Sequence, residues 1–511
     1  MSNAPTTSSK HSVVLRQSAW QVAYRSLNVL TIIAATAVCA YFTSHETFAL
    51  YGLLILLVGA VVVFMEAGLG PTALAFLSAN PTAAGGITRL RFRSVSIVAG
   101  VASLSVPPLW LMSPHISAAV FCAILAAYML GVGNALITDA QAQMRNEVLA
   151  TAALVGQTVG FAVSTAAIIA HPSLTVVLLS QPLLYAIRGL ITVGYLHRAD
   201  LLAWGRLSKV DAKTVRRASV PLTAWSVIGV LHLRFGALAA YLVLGVTASA
   251  PLALPQRVLE IAPIIPTALM TVALPSLVRS LRANEERYRV VREQLLQVVC
   301  LVGLLLGNLI NFAAPWLTSA LGGQTYPHGV LLFRVASLTS VFIGLNLLLV
   351  TLLIVQGQQS QAFKRGAASM VLSAALCAAM TVRFGLVGAA WATIVAEIAL
   401  TALLGCVVWQ GGSRPQATLT RLCLAVTMIS YAGAVLVRPE SWVASGVAAG
   451  VWVLALPVLY RPTRSLVSAV LNRPASDPQP STLLMQIPHS RSEAPVDAAS
   501  RVMVGASGDR R

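Results

Sequence analysis

The chain has 511 residues, 57% of them hydrophobic and only 10% charged, with a formal net charge of +19. A soluble domain usually carries about 25% charged residues, so most of this length must lie in lipid rather than in water. The basic balance does not point to nucleic acid, because cytoplasmic loops of membrane proteins collect Lys and Arg and no basic stretch here has the interleaved aromatics of a base-stacking surface.

The first apolar run begins near Val22 after a polar cytoplasmic tail over residues 1–21. It is long enough to span a bilayer, so it reads as a membrane helix and not as a cleaved signal peptide. Spans follow near 22–42, 50–74, 92–112, 116–138, 148–170, 174–196, 219–244, 251–275, 294–315, 330–355, 365–382, 386–409, 417–437 and 441–460. Helices are required, because lipid cannot satisfy bare backbone groups and no ten-residue alternation indicates a barrel. The expected fold class is an all-α polytopic membrane protein of about 14 helices. Its expected parts are a first six-helix bundle over 22–196, a basic cytoplasmic linker over 197–218, and a second six-helix bundle over 219–409. An extra helix pair over 410–460 and a Pro-, Ser- and Arg-rich tail over 461–511 complete the chain, the tail being too polar to build a core.

Lys and Arg fall on alternate gaps. Of the 35, one side holds 29, the other holds only Arg383 and Arg438, and four lie inside spans. The positive-inside rule then places both termini in the cytoplasm. Outer gaps are short, the longest running from Trp316 to Gly329, so no outer ligand module is expected. A weak internal echo joins Pro71-Thr72-Ala73-Leu74 after Glu66 to Pro266-Thr267-Ala268-Leu269 after Glu260. Duplicated helix blocks are common in transporters.

Ionisable groups inside a span are costly unless they face a cavity or a partner, so they are the candidate substrate-binding residues. Arg234 lies near the middle of span seven, two residues after His232. Arg257 and Glu260 share one face of span eight at i and i+3, a spacing that allows an ion pair. Arg334 lies near the outer end of span ten, Arg188 in the inner part of span six, and Arg25 at the start of span one, one turn before Asn28. Glu66 lies in span two and Glu397 in span twelve. Arg stays charged and grips phosphate in a bidentate fork, which suits an anionic head group. Each residue also has a structural reading: snorkelling to an interface for Arg188 and Arg334, an end anchor for Arg25, a bracing ion pair for Arg257 with Glu260, and helix bracing for Glu66 and Glu397. Five prolines punctuate span eight from Pro251 to Pro275, which invites bending.

Several chemistries are excluded. No Gly-Lys dipeptide occurs, so no P-loop; HExxH and GxSxG are missing, and no acidic cluster is placed for a nucleotide-sugar metal. The six cysteines all lie in apolar runs without CxxC spacing, which leaves neither a disulfide framework nor a metal site. No cofactor and no enzymatic activity are expected.

The stretch from Tyr51-Gly52 through Phe64-Met65-Glu66-Ala67-Gly68-Leu69-Gly70 resembles the second helix of Wzx-type polysaccharide flippases, relatives of the MATE exporters and lipid II flippases. The resemblance continues at Ile265-Pro266-Thr267-Ala268 through Leu274-Pro275-Ser276-Leu277, at Leu321-Gly322-Gly323-Gln324-Thr325-Tyr326, and at Phe384-Gly385-Leu386-Val387-Gly388-Ala389-Ala390-Trp391-Ala392-Thr393 with Glu397. It implies two six-helix bundles around a central cavity. It also implies translocation of undecaprenyl-diphosphate-linked sugar repeat units for exopolysaccharide or surface polysaccharide, beside a polysaccharide polymerase and a chain-length regulator. Arg25 is followed by Ser26 and not by an acidic residue, which departs from the lipid II members. A polysaccharide polymerase or ligase, a MATE-like cation-coupled exporter and a lipid II-type flippase remain as alternatives.

Overall fold

The computed structural model describes residues 26–409 apart from 67, 144, 203, 268, 271–276, 278–279, 282–284 and 323–327. The expected helix pair over 410–460, both tails and Arg25 lie outside the described residues. Within them the protein is all-helical, and nine helices are long and apolar enough to cross a membrane. It is a multi-pass membrane protein.

The first bundle is built from α1 (Ser26–Phe42), α2 (His45–Glu66), α4 (Ala84–Ser103) with its short extension α5 (Val106–Met112), α6 (Pro114–Leu136), α8 (Asn146–Ala170) and α9 (Leu174–Arg198). Two short helices, α3 (Leu69–Ala79) and α7 (Thr138–Ala142), pack together at the arginine-rich end. The second bundle comprises α10 (Lys209–Leu244), the fragments α11 (Val246–Ser249) and α12 (Ala253–Leu259), then α13 (Glu285–Gly322), α14 (Gly329–Val355) and α15 (Gln359–Trp409). Helix α15 is two helices in one. Gly385 adopts φ 61°, a left-handed conformation open to glycine, and the chain reverses there, so that Cys377 and Ala392 share a buried cluster with Ala239 of α10.

Three sequence expectations change. Span two was placed over 50–74, but α2 stops at Glu66 and Pro71-Thr72-Ala73-Leu74 belongs to the separate helix α3. The break is at Gly68, whose φ of 62° ends a right-handed helix. The basic linker was placed over 197–218, but α10 starts at Lys209, where the Ser208 side chain caps the Asp211 backbone N–H. Cations between Lys209 and Arg217 do not break a helix, because Lys and Arg are good helix formers. The longest outer gap also shrinks, because α13 stays helical through Gly322.

The two bundles share apolar cores unequally at their two ends. Toward the charge-poor end, Tyr51, Leu54 and Val58 of α2 form one cluster with Leu254 and Val258 of α12, Ile310 and Ala314 of α13 and Phe333 of α14. The Tyr41 hydroxyl also donates to the Ser319 carbonyl at 2.6 Å, joining α1 to α13. Toward the arginine-rich end the shared cluster is smaller: Leu69, Ala73 and Leu77 of α3 and Ile87 and Leu90 of α4 meet Val215 of α10.

Candidate functional site

Span eight is not a continuous helix. Helix α12 ends at Leu259, and the next backbone donors, Glu260, Ile261 and Ala262, reach back only three residues to Arg257, Val258 and Leu259. Pro263 then offers no N–H, and a proline ring clashes with the carbonyl four residues earlier. Arg257 and Glu260 sit on either side of this tightened turn. Broken membrane helices commonly carry transporter substrate sites, because their freed backbone and end charges face a cavity.

That cavity lies between the bundles. It has a volume of about 400 Å³ and is walled by α2, α10, α12, α14 and the second half of α15, with Val29 and Ile32 of α1, Leu130 of α6 and Tyr185 of α9. Its size falls within the range of small-molecule pockets. Most of the wall is aliphatic. Among the described residues, the charges on it are Arg234, Arg257 and Glu260.

The three form one charge cluster. Arg257 Nη1 lies 2.5 Å from Glu260 Oε1, the pairing that the i, i+3 spacing allows. Arg234 Nη2, from a different helix, stands 3.7 Å from the same oxygen. Arg234 also donates through Nη1 to the Leu56 carbonyl of α2 at 3.2 Å, so a cation of the second bundle is tied to the first. This contact is possible because residue 59 is glycine: a Cβ there would overlap Arg234 Nη2 and lie 2.6 Å from Cζ. Two positive charges and one negative give the described wall a net charge of +1.

Among the described residues, the remaining candidates do not line this cavity. Glu66, in the last turn of α2, accepts from the Asn134 amide of α6 at 2.5 Å. Arg188 of α9 donates to Asn28 of α1 at 3.4 Å. Arg334 lies in the second turn of α14, near the helix end as expected, but it is 1% exposed, and a side chain so enclosed does not snorkel. Glu397 is buried in α15, accepts from the Asn346 amide at 2.6 Å and stands 3.4 Å from His232 of α10. The Thr401 hydroxyl donates to Asn346 in turn, so a polar cluster ties α10, α14 and α15 together. Gly59, Asn134 and Asn346 were not singled out from the sequence. The two asparagines carried a signal, a polar amide within an apolar run. Gly59 carried none.

The sequence matches no family model and no curated protein. Solved structures are similar in fold. One is an inward-facing multidrug resistance MATE family transporter of the MOP superfamily, with TM-score 0.59 and 14% identity over 76% of this chain and 96% of that one. The fold is that of the MATE transporters. A Vibrio cholerae MATE transporter, VcmN, gives TM-score 0.57 at 14% identity over 79% of this chain and 97% of its own. A eukaryotic MATE transporter, AtDTX14, gives 0.52 at 13% over 81% and 100%. In this MATE-type fold the cluster of Arg234, Arg257 and Glu260 occupies the space between the two bundles.

Proposed function

We propose that this chain translocates polyprenyl-diphosphate-linked saccharide repeat units, undecaprenyl-diphosphate in bacteria, across the inner membrane for exopolysaccharide or surface polysaccharide synthesis. The observation that carries the reading is the convergence of Arg234 and Arg257, from two helices, on one cavity between the bundles. Two guanidiniums held a few ångströms apart suit a diphosphate, which offers two anionic groups at similar spacing.

Glu260 is the placeholder in this scheme. With the cavity empty it neutralises one cation and keeps both in place. An arriving diphosphate takes over both guanidiniums and releases the carboxylate. When the substrate leaves, Glu260 re-pairs, so the empty carrier can change state without two uncompensated charges in a low-dielectric cavity. In this reading the arginine-rich end faces the cytoplasm with both termini, as the charge alternation implies, and is the entry side. No bond in the substrate is made or broken. A polymerase that consumes the repeat units and a chain-length regulator are the expected partners.

The test is polymer production in a strain relying on Arg234→Ala or Arg257→Ala as its sole copy. Polymer should fall to background while the variant remains at normal level in the membrane. Full production with either variant would place the substrate elsewhere.

A second reading, a cation-coupled exporter of small molecules, draws support from the MATE-type fold and from the buried cluster of His232, Asn346 and Glu397 in the second bundle. Proteoliposome efflux of a cationic dye, driven by an ion gradient and insensitive to Arg234→Ala, would favour it over the diphosphate.

A further inference from the structure

A second pocket, of about 600 Å³, lies at the arginine-rich end, far along the helices from the central cavity. Its wall holds seven cations: Arg89 and Arg93 of α4, Arg206 of the linker, and Lys209, Lys213, Arg216 and Arg217 of α10. None of the seven has a carboxylate within ion-pair distance among the described residues. Asp211 of the same helix turn accepts from the Ser208 hydroxyl at 2.7 Å. Positive-inside loops account for basic residues on this side, but not for seven converging on one concave wall.

The wall is held by backbone packing. The linker lies directly on α4 at Gly85 and Gly86, where a Cβ would come within 2.6 Å of Gly205 N and 2.7 Å of Leu207 N. Trp204 packs edge-on against Phe92 at 5.7 Å between ring centroids. The cations flank this seam, so a ligand meets a preformed site and not a floppy loop.

The surroundings say what kind of anion fits. Both α10 and the α4–α5 segment are long enough and apolar enough to cross a membrane, and the pocket lies at the basic start of each. On α4, Arg89, Arg93, Ile97 and Val101 recur every fourth residue, each stacked on the last along a ridge that turns about 40° per step. That ridge passes from two guanidiniums to Ile97 at 57% and Val101 at 64% exposure. On α10, Lys209, Lys213, Arg216 and the exposed Val220 share a face in the same order. A soluble phosphate needs only the cations. A lipid needs cations with an apolar stripe directly below them, which is what both helices present. Basic pockets between membrane helices are suited to anionic head groups.

We propose that this pocket holds an anionic glycerophospholipid, its phosphate among the Arg89, Arg93, Lys213 and Arg216 side chains and an acyl chain along Ile97 and Val101. The site is independent of what the central cavity carries. Bound there, the lipid ties the linker and the start of α10 to α4, bridging the two bundles.

The experiment uses the full-length protein in neutral detergent, titrated with phosphatidylglycerol and followed by native mass spectrometry. The unmodified protein should retain phosphatidylglycerol and release phosphatidylcholine. The triple variant Arg93→Gln, Lys213→Gln, Arg216→Gln should bind phosphatidylglycerol about 100-fold more weakly, three cations at roughly fivefold each. Arg93→Gln alone should lose about fivefold, which keeps the test decisive if the triple variant folds poorly. A control triple of exposed cations outside the pocket, Arg145→Gln, Arg198→Gln, Lys364→Gln, should bind as the unmodified protein does. Undiminished binding by the pocket variants, equal loss in the control, or equal retention of phosphatidylcholine would overturn the proposal. Inorganic pyrophosphate displacing the lipid at equal concentration would also overturn it, and assign the pocket to a soluble phosphate instead.

Discussion

Gly59→Ala tests the charge cluster without removing any charge from it. The new methyl would overlap Arg234 Nη2 and lie 2.6 Å from its Cζ, whereas ordinary contact needs roughly 1 Å more. The obstructing atoms are the far end of a flexible side chain, so the guanidinium moves and α2 does not. Arg234 now stands 3.7 Å from the Glu260 oxygen. A retreat to about 4.7 Å weakens a unit-charge interaction by roughly 1 kcal/mol at an effective dielectric of about 20. A diphosphate in place of the Glu260 carboxylate brings about two charges, so its binding weakens by roughly 2 kcal/mol, or about 30-fold.

The assay is calorimetric titration of the purified protein with a short-chain prenyl diphosphate. Thermal unfolding is measured beside it, with Gly100→Ala as the control because a Cβ at Gly100 meets open space. Gly59→Ala should lose about 30-fold in affinity with little change in melting temperature. In an Arg234→Gln background the same substitution should do nothing further, because both changes act on one guanidinium. Unchanged affinity in Gly59→Ala, or losses that multiply in the double variant, would refute the placement of Arg234 at the substrate.

Two further outcomes follow from the same geometry. Glu260→Gln removes the carboxylate that competes for Arg234 and Arg257, so prenyl diphosphate should bind about 10-fold tighter while flux in proteoliposomes slows, since release no longer has an internal counter-ion; weaker binding would mean that Glu260 is not a stand-in for the substrate. Glu397→Ala leaves the buried Asn346 amide without its 2.6 Å partner, a cost of about 1–3 kcal/mol, and should lower the melting temperature with affinity for prenyl diphosphate unchanged.

How much of this was legible in the sequence depends on how local the physics is. Helix class follows from the run lengths, because each span must satisfy the bilayer by itself. The Arg257–Glu260 pair was legible for the same reason: three residues of helix fix its geometry. The helix ends that were misplaced lie where a local feature outweighs hydropathy. Gly68 stops α2 within an apolar stretch, and Ser208 starts α10 within a charged one.

The division among the buried cations was not legible. Arg188, Arg234, Arg257 and Arg334 are equivalent as exceptions to the charge alternation, yet they meet four different surroundings. Arg188 turns to Asn28 of a neighbouring helix in its own bundle. Arg334 is enclosed within α14 and away from the cavity wall. Arg257 is held by its own helix turn. Arg234 reaches the opposite bundle, through the Leu56 carbonyl and over the bare backbone of Gly59. Depth in the membrane makes a charge expensive and so selects the candidates. Which of them becomes a site is decided by what comes to meet it from the other bundle, and for Arg234 part of that is the missing side chain of a glycine 175 positions away. A movement of α2 against α10 must break or remake the Arg234–Leu56 hydrogen bond, so the residue assigned to the substrate is also a contact between the halves that alternate access would separate.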